Sequence, residues 1–147
     1  MISLIIDTNI ILSAYYNPKG LQRRILDTIL KKDQIQSFAP DIFFEELFRN
    51  FEEKLGYSRT QLLKIFQELE IIKVEYKEYK KLIPAAEKLI VHKNDVPFLA
   101  VALLKKCPIW SGNVNHFKHL RNSEKITWFN SRRLLDYLQE NNMIEYK

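Results

Sequence analysis

The feature that most constrains this chain is a short apolar run near its start, Ile-Ser-Leu-Ile-Ile over residues 2–6. The run is rich in β-branched residues and does not alternate apolar with polar positions, which is typical of a strand buried on both faces. Such a strand belongs in the centre of a parallel sheet that helices cover on both sides. The run ends at Asp7, so we expect a carboxylate at the carboxyl end of this central strand.

Helical and strand-like segments alternate along the rest of the chain. Apolar spacing predicts helices over residues 21–32, 41–55, 59–69, 96–104 and from 131 onward, and a helical stretch over 75–91 that Pro84 kinks or divides. Further strands are predicted over residues 35–38, 71–74, 109–110 and 126–129. Trp110 and Trp128 fall within two of these strands, so we expect both to be buried. The alternation predicts a single domain over residues 1–147, a three-layer α/β/α sandwich with a mostly parallel central sheet of about five strands.

Composition argues against several classes of protein. The single cysteine, Cys107, cannot form an internal disulfide, and no run of about 18 uncharged apolar residues predicts a membrane span. Asp7 interrupts the apolar start, and neither a basic segment nor a small-residue cleavage site flanks it, which disfavours a signal peptide. These features predict a protein of the reducing cytoplasm. Lysine and arginine exceed aspartate and glutamate by 23 to 18, a surplus that fits a polyanionic partner and simple solubility equally well.

Acidic residues occur where the predicted sheet would gather them. Asp7 follows the first strand, Glu45 and Glu46 lie one turn into an early helix, and Asp95 opens a late helix. Each acid taken singly is explained by helix capping or by complementing the helix dipole. Together they form a set of oxygen ligands without a Cys or His cluster, which favours Mg²⁺ or Mn²⁺ over zinc. A bound cation would also relieve the repulsion among carboxylates that share one pocket.

Four short sequence blocks occur in an order and at separations that point to a known family. They are residues 4–10 (LIIDTNI), Ala39-Pro40 followed by Glu46-Leu47, Asn94-Asp95 followed by residues 98–103 (FLAVAL), and residues 109–113 (IWSGN). Through these blocks the chain resembles the PIN-domain nucleases, which include VapC-type toxins, over essentially its whole length. Each block alone is unspecific, so the resemblance depends on their joint occurrence.

The resemblance implies that Asp7, Glu46 and Asp95 are the catalytic, metal-binding acids, and it selects Glu46 over the preceding glutamate because the family acid precedes leucine. Where many members carry a fourth aspartate, this chain has Asn113, and Asn115 replaces a further acid sometimes found nearby. Asn113 can still offer a carbonyl oxygen to a metal, but it removes one negative charge.

Other polar residues near these blocks are candidates for orienting the carboxylates, the attacking water or the substrate. They are Thr8, Asn9, Ser111 and Asn115. Ordinary capping also explains the first three. For His116, which stands beside Phe117, the sequence favours a packing or surface role over substrate contact.

The resemblance implies a Mg²⁺- or Mn²⁺-dependent endoribonuclease that hydrolyses RNA phosphodiester bonds. It also suggests a homodimer and, for toxin-like members, an antitoxin protein that covers the site. Two other classes of function stay open. A phosphatase with an aspartyl nucleophile would need a second acid two residues after Asp7, where Asn9 stands. A PIN-like module that binds RNA or a protein without cutting is compatible with Asn113 and Asn115.

Overall fold

The computed structural model describes residues 1–142, and its centre is a parallel sheet. Its strands are β1 (Ile2–Ile6), β2 (Ile35–Pro40), β3 (Ile72–Val74), β4 (Ile109–Trp110) and β5 (Trp128–Phe129). They pair in the order β3-β2-β1-β4-β5, and every pairing is parallel. The predicted parallel sheet of about five strands is therefore confirmed.

Helices connect the strands throughout. They are α1 (Thr8–Tyr16), α2 (Leu21–Leu30), α3 (Asp41–Leu55), α4 (Arg59–Leu69), α5 (Tyr76–Tyr79), α6 (Ile83–Glu87), α7 (Val96–Lys105), α8 (Val114–Phe117) and α9 (Ser131–Glu140). Short 3₁₀ turns lie at Lys80–Leu82, Lys93–Asp95 and Lys118–Leu120. Over residues 1–142, no helix is both long enough and apolar enough to cross a membrane.

The helices form layers on the two faces of the sheet, as predicted. On one face, α1 packs against α2 and α3, and α2 packs against α9. On the other face, α7 contacts β1, β2 and β4 and is itself covered by α5 and α6. Because both faces are covered, Leu4, Ile5 and Ile6 of β1 are at most 1% exposed. This double burial explains why the first strand is apolar at successive positions.

Local signals place most element boundaries where the sequence predicted them. Gly56 ends α3 with a left-handed φ of 66°, a conformation that glycine adopts without steric cost. Ser58 begins α4 with a reciprocal cap, in which its hydroxyl and the Gln61 side chain each accept a backbone N–H of the other residue. β2 extends farther than predicted, through Pro40, because its last three residues pair with β3.

Both tryptophans are buried, as predicted, and their indole N–H groups are satisfied. Trp110 Nε1 donates to Ser131 Oγ at 3.0 Å, and Trp128 Nε1 donates to the Ser111 carbonyl at 3.0 Å. The Trp128 ring also stacks on Phe117, with 6.2 Å between the ring centroids. These contacts tie β4 to β5 and α9, and they fix the backbone at Ser111, directly beyond the end of β4.

Candidate active site

The candidate site lies at the carboxyl ends of β1 and β4. The chain runs from β1 outward to β2 and β3, and then returns to place β4 on the other side of β1. At such a switch point the connections leave neighbouring strands in opposite directions, and the crevice between them is where parallel α/β sheets bind ligands. Asp7 follows β1 at this point, and Ser111 and Asn113 follow β4.

A pocket of about 440 Å³ opens at this edge of the sheet. Its wall contains the three predicted acids, Asp7, Glu46 and Asp95. Of the other predicted residues, Thr8, Asn9 and Asn113 also line it. Polar residues that the sequence did not assign to the site line it as well, namely Glu45, Arg49, Asn50, Asn94 and His116. The pocket thus gathers side chains from the ends of two strands, from α3 and from the start of α7.

Asp7 is the most buried of the three acids, at 5% exposure. It occupies the N-cap position of α1, yet its side chain makes no capping hydrogen bond, so simple capping does not explain this acid. Instead, the Ser111 hydroxyl donates to Asp7 Oδ2 at 2.8 Å. Burial raises the pKa of Asp7 from 3.8 to about 6; the Ser111 hydrogen bond opposes this rise, and the nearby Asp95 and Glu46 charges add to it.

Glu46 faces the pocket from α3 and is half-buried. The Thr8 hydroxyl donates to Glu46 Oε2 at 2.9 Å, and burial raises the pKa of Glu46 against the opposing effects of Thr8 and Arg49. The amide of Asn50 donates to the Glu46 carbonyl at 2.8 Å, one turn along the same helix. Glu45 also borders the pocket but is exposed. Of the two glutamates, Glu46 is therefore the one that the fold holds in a defined position.

Asp95 is held by a residue that the sequence did not assign to the site. Asp95 is 8% exposed and occupies the N-cap position of α7 without a capping hydrogen bond from its side chain. Its Oδ2 lies 2.7 Å from Nδ1 of His116, whose ring stacks on His92 with 3.5 Å between centroids. His116 is thus in the pocket wall. Its partner lies 21 positions away on another element, so no local sequence pattern signals the contact.

Of the remaining predicted residues, Asn113 and Ser111 lie at the pocket and Asn115 lies away from it. The Asn113 backbone N–H donates to Ser111 Oγ at 3.1 Å, and Asn113 lines the pocket. Ser111 is fully buried behind Asp7. Asn115, in the short helix α8, is exposed and does not line the pocket.

The donors of this pocket suit a hard divalent cation. They are carboxylate and amide oxygens, and burial disfavours the charged form of two of the acids. Among the residues from 1 to 142, however, no group of three or more His, Cys, Asp or Glu side chains is already arranged to hold a metal ion. One oxygen of each acid is bound by a protein neighbour, namely Ser111, Thr8 or His116. The residues therefore fit a hard cation by the chemistry of their donors, and the described residues do not form a preassembled cluster for it.

Comparison with known proteins gives a family match in sequence. The family model described as PIN domain matches residues 5–128, which is most of the chain. No curated protein matches the sequence.

Solved structures match the fold over nearly the whole chain. The VapBC2 complex from Rickettsia felis, bound to a DNA fragment from its promoter, matches with a TM-score of 0.64 and 22% identity, covering 88% of this chain and 98% of that one. DNA-bound VapBC from Salmonella typhimurium has a TM-score of 0.65 and 15% identity, covering 89% and 99%. A toxin-antitoxin complex from Klebsiella pneumoniae has a TM-score of 0.63 and 15% identity, covering 84% and 95%. At these identities the likeness shows a shared fold.

Proposed function

The chain belongs to the PIN-domain family, and on that premise we propose that it is a Mg²⁺- or Mn²⁺-dependent endoribonuclease. Its proposed ligands are Asp7, Glu46 and Asp95, with Asn113 as an uncharged fourth. The observation that carries the proposal is the gathering of three acids in one pocket, with the pKa of buried Asp7 raised to about 6. Retaining carboxylates against this electrostatic cost is typical of sites that bind a cation or perform catalysis.

The chain's own residues would set the geometry of the reaction. When bound, the divalent cation acts as a Lewis acid toward the phosphate and the attacking water. Ser111 and Thr8 hold Asp7 and Glu46 through hydrogen bonds of 2.8 and 2.9 Å, which restricts rotation of both carboxylates. Arg49 at the rim is a cation that can pair with a substrate phosphate. A nuclease needs these elements of orientation and charge stabilisation.

The charge distribution supports a nucleic-acid substrate. Between residues 105 and 133, seven lysines and arginines stand against a single acid, Glu124. Among them Lys118, Arg121 and Arg132 are exposed, and Lys118 directly follows α8, whose His116 lines the pocket. Exposed cations of this kind attract a phosphate backbone and release its counterions. Lys118, which is adjacent in sequence to the helix that carries His116, would help to hold a phosphate strand near the acidic pocket, where the like charges of acids and phosphate otherwise repel.

We also propose that the chain is the toxin of a toxin–antitoxin pair and forms a homodimer in the cytoplasm. Support for the pair comes from the fold matches, which are VapBC and other toxin-antitoxin complexes and which this chain covers almost completely. Support for the homodimer comes from the family resemblance. The proposed domain is the whole of residues 1–147.

A second candidate is a PIN-like module that binds RNA without cutting it. Asn113 favours this alternative, because it lines the pocket where many family members carry an acid and so lowers the negative charge available to a metal. The two candidates predict the same RNA-binding surface. They differ in whether the protein cleaves RNA when Mg²⁺ or Mn²⁺ is present.

The proposed activity is tested by cleavage of a mixed, end-labelled RNA pool in Mg²⁺, Mn²⁺ or EDTA. We expect cleavage with either metal, none with EDTA, and a rate reduced about 10²- to 10³-fold in Asp95→Asn, because one charged ligand is lost. Glu53→Gln, which changes an exposed acid of α3 outside the pocket, should cut at the wild-type rate. Tight RNA retention without cleavage in either metal would support the non-cutting module instead.

Restoring the missing acid should strengthen metal binding. Asn113→Asp adds a carboxylate to the pocket wall, so we expect the Kd for Mn²⁺ to fall about tenfold, or about 1.4 kcal/mol. Isothermal titration calorimetry near pH 8, where Asp7 is ionised, measures the change. Asn115→Asp is the matched control, because the same charge is added two residues away and outside the pocket. Equal affinities in the two variants would contradict the assignment of Asn113 to the site.

A further inference from the structure

Asp95 contacts His116, and the proposed set of metal ligands does not explain why this histidine lies there. Asp95 ends the 3₁₀ turn that directly precedes α7, a position from which a carboxylate can accept a backbone N–H of the first helical turn. Its side chain makes no such bond, and Oδ2 instead meets His116 Nδ1 at 2.7 Å. Because Oδ2 is engaged in this way, Oδ1 is the oxygen that remains for a ligand in the pocket.

The histidine is itself held firmly. α8 is anchored by Phe117, which is fully buried and stacks on Trp128. On the other side, the His116 ring lies almost parallel to the ring of His92, with an interplanar angle of 13° and 3.5 Å between centroids. These contacts limit the positions that the ring can take, and its Nδ1 faces the carboxylate.

His92 is connected to Asp95 a second time through the backbone. The Asp95 N–H donates to the His92 carbonyl at 3.0 Å and closes the 3₁₀ turn that precedes α7. The ring of His92 thus braces His116 while its carbonyl holds the Asp95 backbone. The three residues form a closed unit at one wall of the pocket.

From this geometry we propose that His116 is a positioning residue for Asp95, and that His92 keeps the His116 ring in place. The inference rests on the proposed function, because it assigns to these histidines the orientation of one metal-binding acid. A hydrogen bond from an imidazole N–H to the outer oxygen of a ligating carboxylate fixes the carboxylate and increases metal affinity. His116 also gives Asp95 a polar partner. The site has one acid fewer than in many family members, because Asn113 stands where they carry an aspartate.

The first test examines the contact itself and needs no metal. In the metal-free protein, long-range ¹H–¹⁵N spectra report which ring nitrogen carries the proton. We expect His116 to be protonated on Nδ1 and to lose this preference in Asp95→Ala, which removes the acceptor. Protonation on Nε2 in the wild-type protein would overturn the proposal.

The second test measures the Kd for Mn²⁺ by calorimetry. His116→Leu removes the donor, and we expect the Kd to rise about tenfold or more. His116→Asn places an amide N–H near the position of Nδ1 and should restore most of the affinity, which loss of packing alone would not allow. His92→Leu should give an intermediate rise. His119→Gln, which keeps a donor for the Leu89 carbonyl outside the pocket, should bind Mn²⁺ like the wild type.

The outcomes separate this inference from the proposed function. Wild-type protein that fails to bind Mn²⁺ would overturn the proposed function together with the inference. Wild-type protein that binds Mn²⁺, with equal or tighter binding by His116→Leu, would overturn the positioning role alone. Melting temperatures of the variants, measured in EDTA, show whether each is folded under the conditions of the titration.

Discussion

Asp7→Asn is expected to abolish cleavage while making the metal-free protein more stable. The substitution removes the most buried carboxylate of the pocket, so we expect kcat to fall by about 10³-fold or more, as the loss of charge at a metal-assisted centre implies. An asparagine of the same shape can still accept the Ser111 hydroxyl through its carbonyl oxygen. Loss of charge, rather than loss of packing, is then the cause of the inactivity.

The gain in stability follows from the direction of the pKa shift. Burial raises the pKa of Asp7 from 3.8 to about 6, so the folded protein holds this proton more tightly than the unfolded chain does. The stabilising contribution is fully present below pH 4 and is lost as the pH rises through about 6. Near pH 7.5 the ionised carboxylate therefore costs up to about 3 kcal/mol, which Asp7→Asn removes.

Urea denaturation in EDTA at about pH 5 and pH 7.5 measures this difference. The gap in unfolding free energy between Asp7→Asn and wild type should widen as the pH rises between these values. Asp33→Asn, an exposed acid just before β2 at the opposite edge of the sheet, should show no such gap. A variant that is less stable than wild type at pH 7.5, or that still cuts RNA, would refute the account of Asp7.

Trp128→Ala is expected to lower stability and activity together. Trp128 is 1% exposed and stacks on Phe117, so truncation should cost about 3–5 kcal/mol through lost contacts and the resulting cavity. Its indole N–H also donates to the Ser111 carbonyl at 3.0 Å, and Ser111 in turn holds Asp7. Loss of this support loosens the pocket, and we expect cleavage by the remaining folded protein to fall about tenfold.

Two comparison variants separate the contributions of Trp128. Trp128→Phe keeps an aromatic ring but leaves the Ser111 carbonyl without its donor, so we expect an intermediate cost of about 1–3 kcal/mol. Tyr16→Ala, an aromatic residue that is 77% exposed on α1, should change stability by less than about 0.5 kcal/mol. Urea midpoints followed by circular dichroism give all three values. A loss below about 1 kcal/mol in Trp128→Ala would contradict the anchoring role.

The fold was largely readable from the sequence because its signals are local. The continuous apolar run of β1 predicted a strand covered on both faces, and burial of Leu4, Ile5 and Ile6 agrees with it. Gly56 and Ser58 marked the boundary between α3 and α4 through backbone conformation and capping, which depend on adjacent residues only. The end of β2 was misplaced, because pairing with β3 extends the strand through Pro40 and that pairing is not visible locally.

For the candidate site, too, the sequence predicted the local features and the tertiary structure decided the side-chain contacts. The sequence by itself determined which acids follow strands or open helices, and family resemblance selected Glu46 over its neighbour. Only the tertiary structure decided that Ser111 binds Asp7 across 104 positions, that His116 binds Asp95, and that Asn115 lies outside the pocket. The physical reason is that strand and helix formation follow from neighbouring residues, whereas side-chain partners are set by the order of strands in the sheet. That order, with β4 beside β1, brings residues 7–9 and residues 111–116 to one pocket.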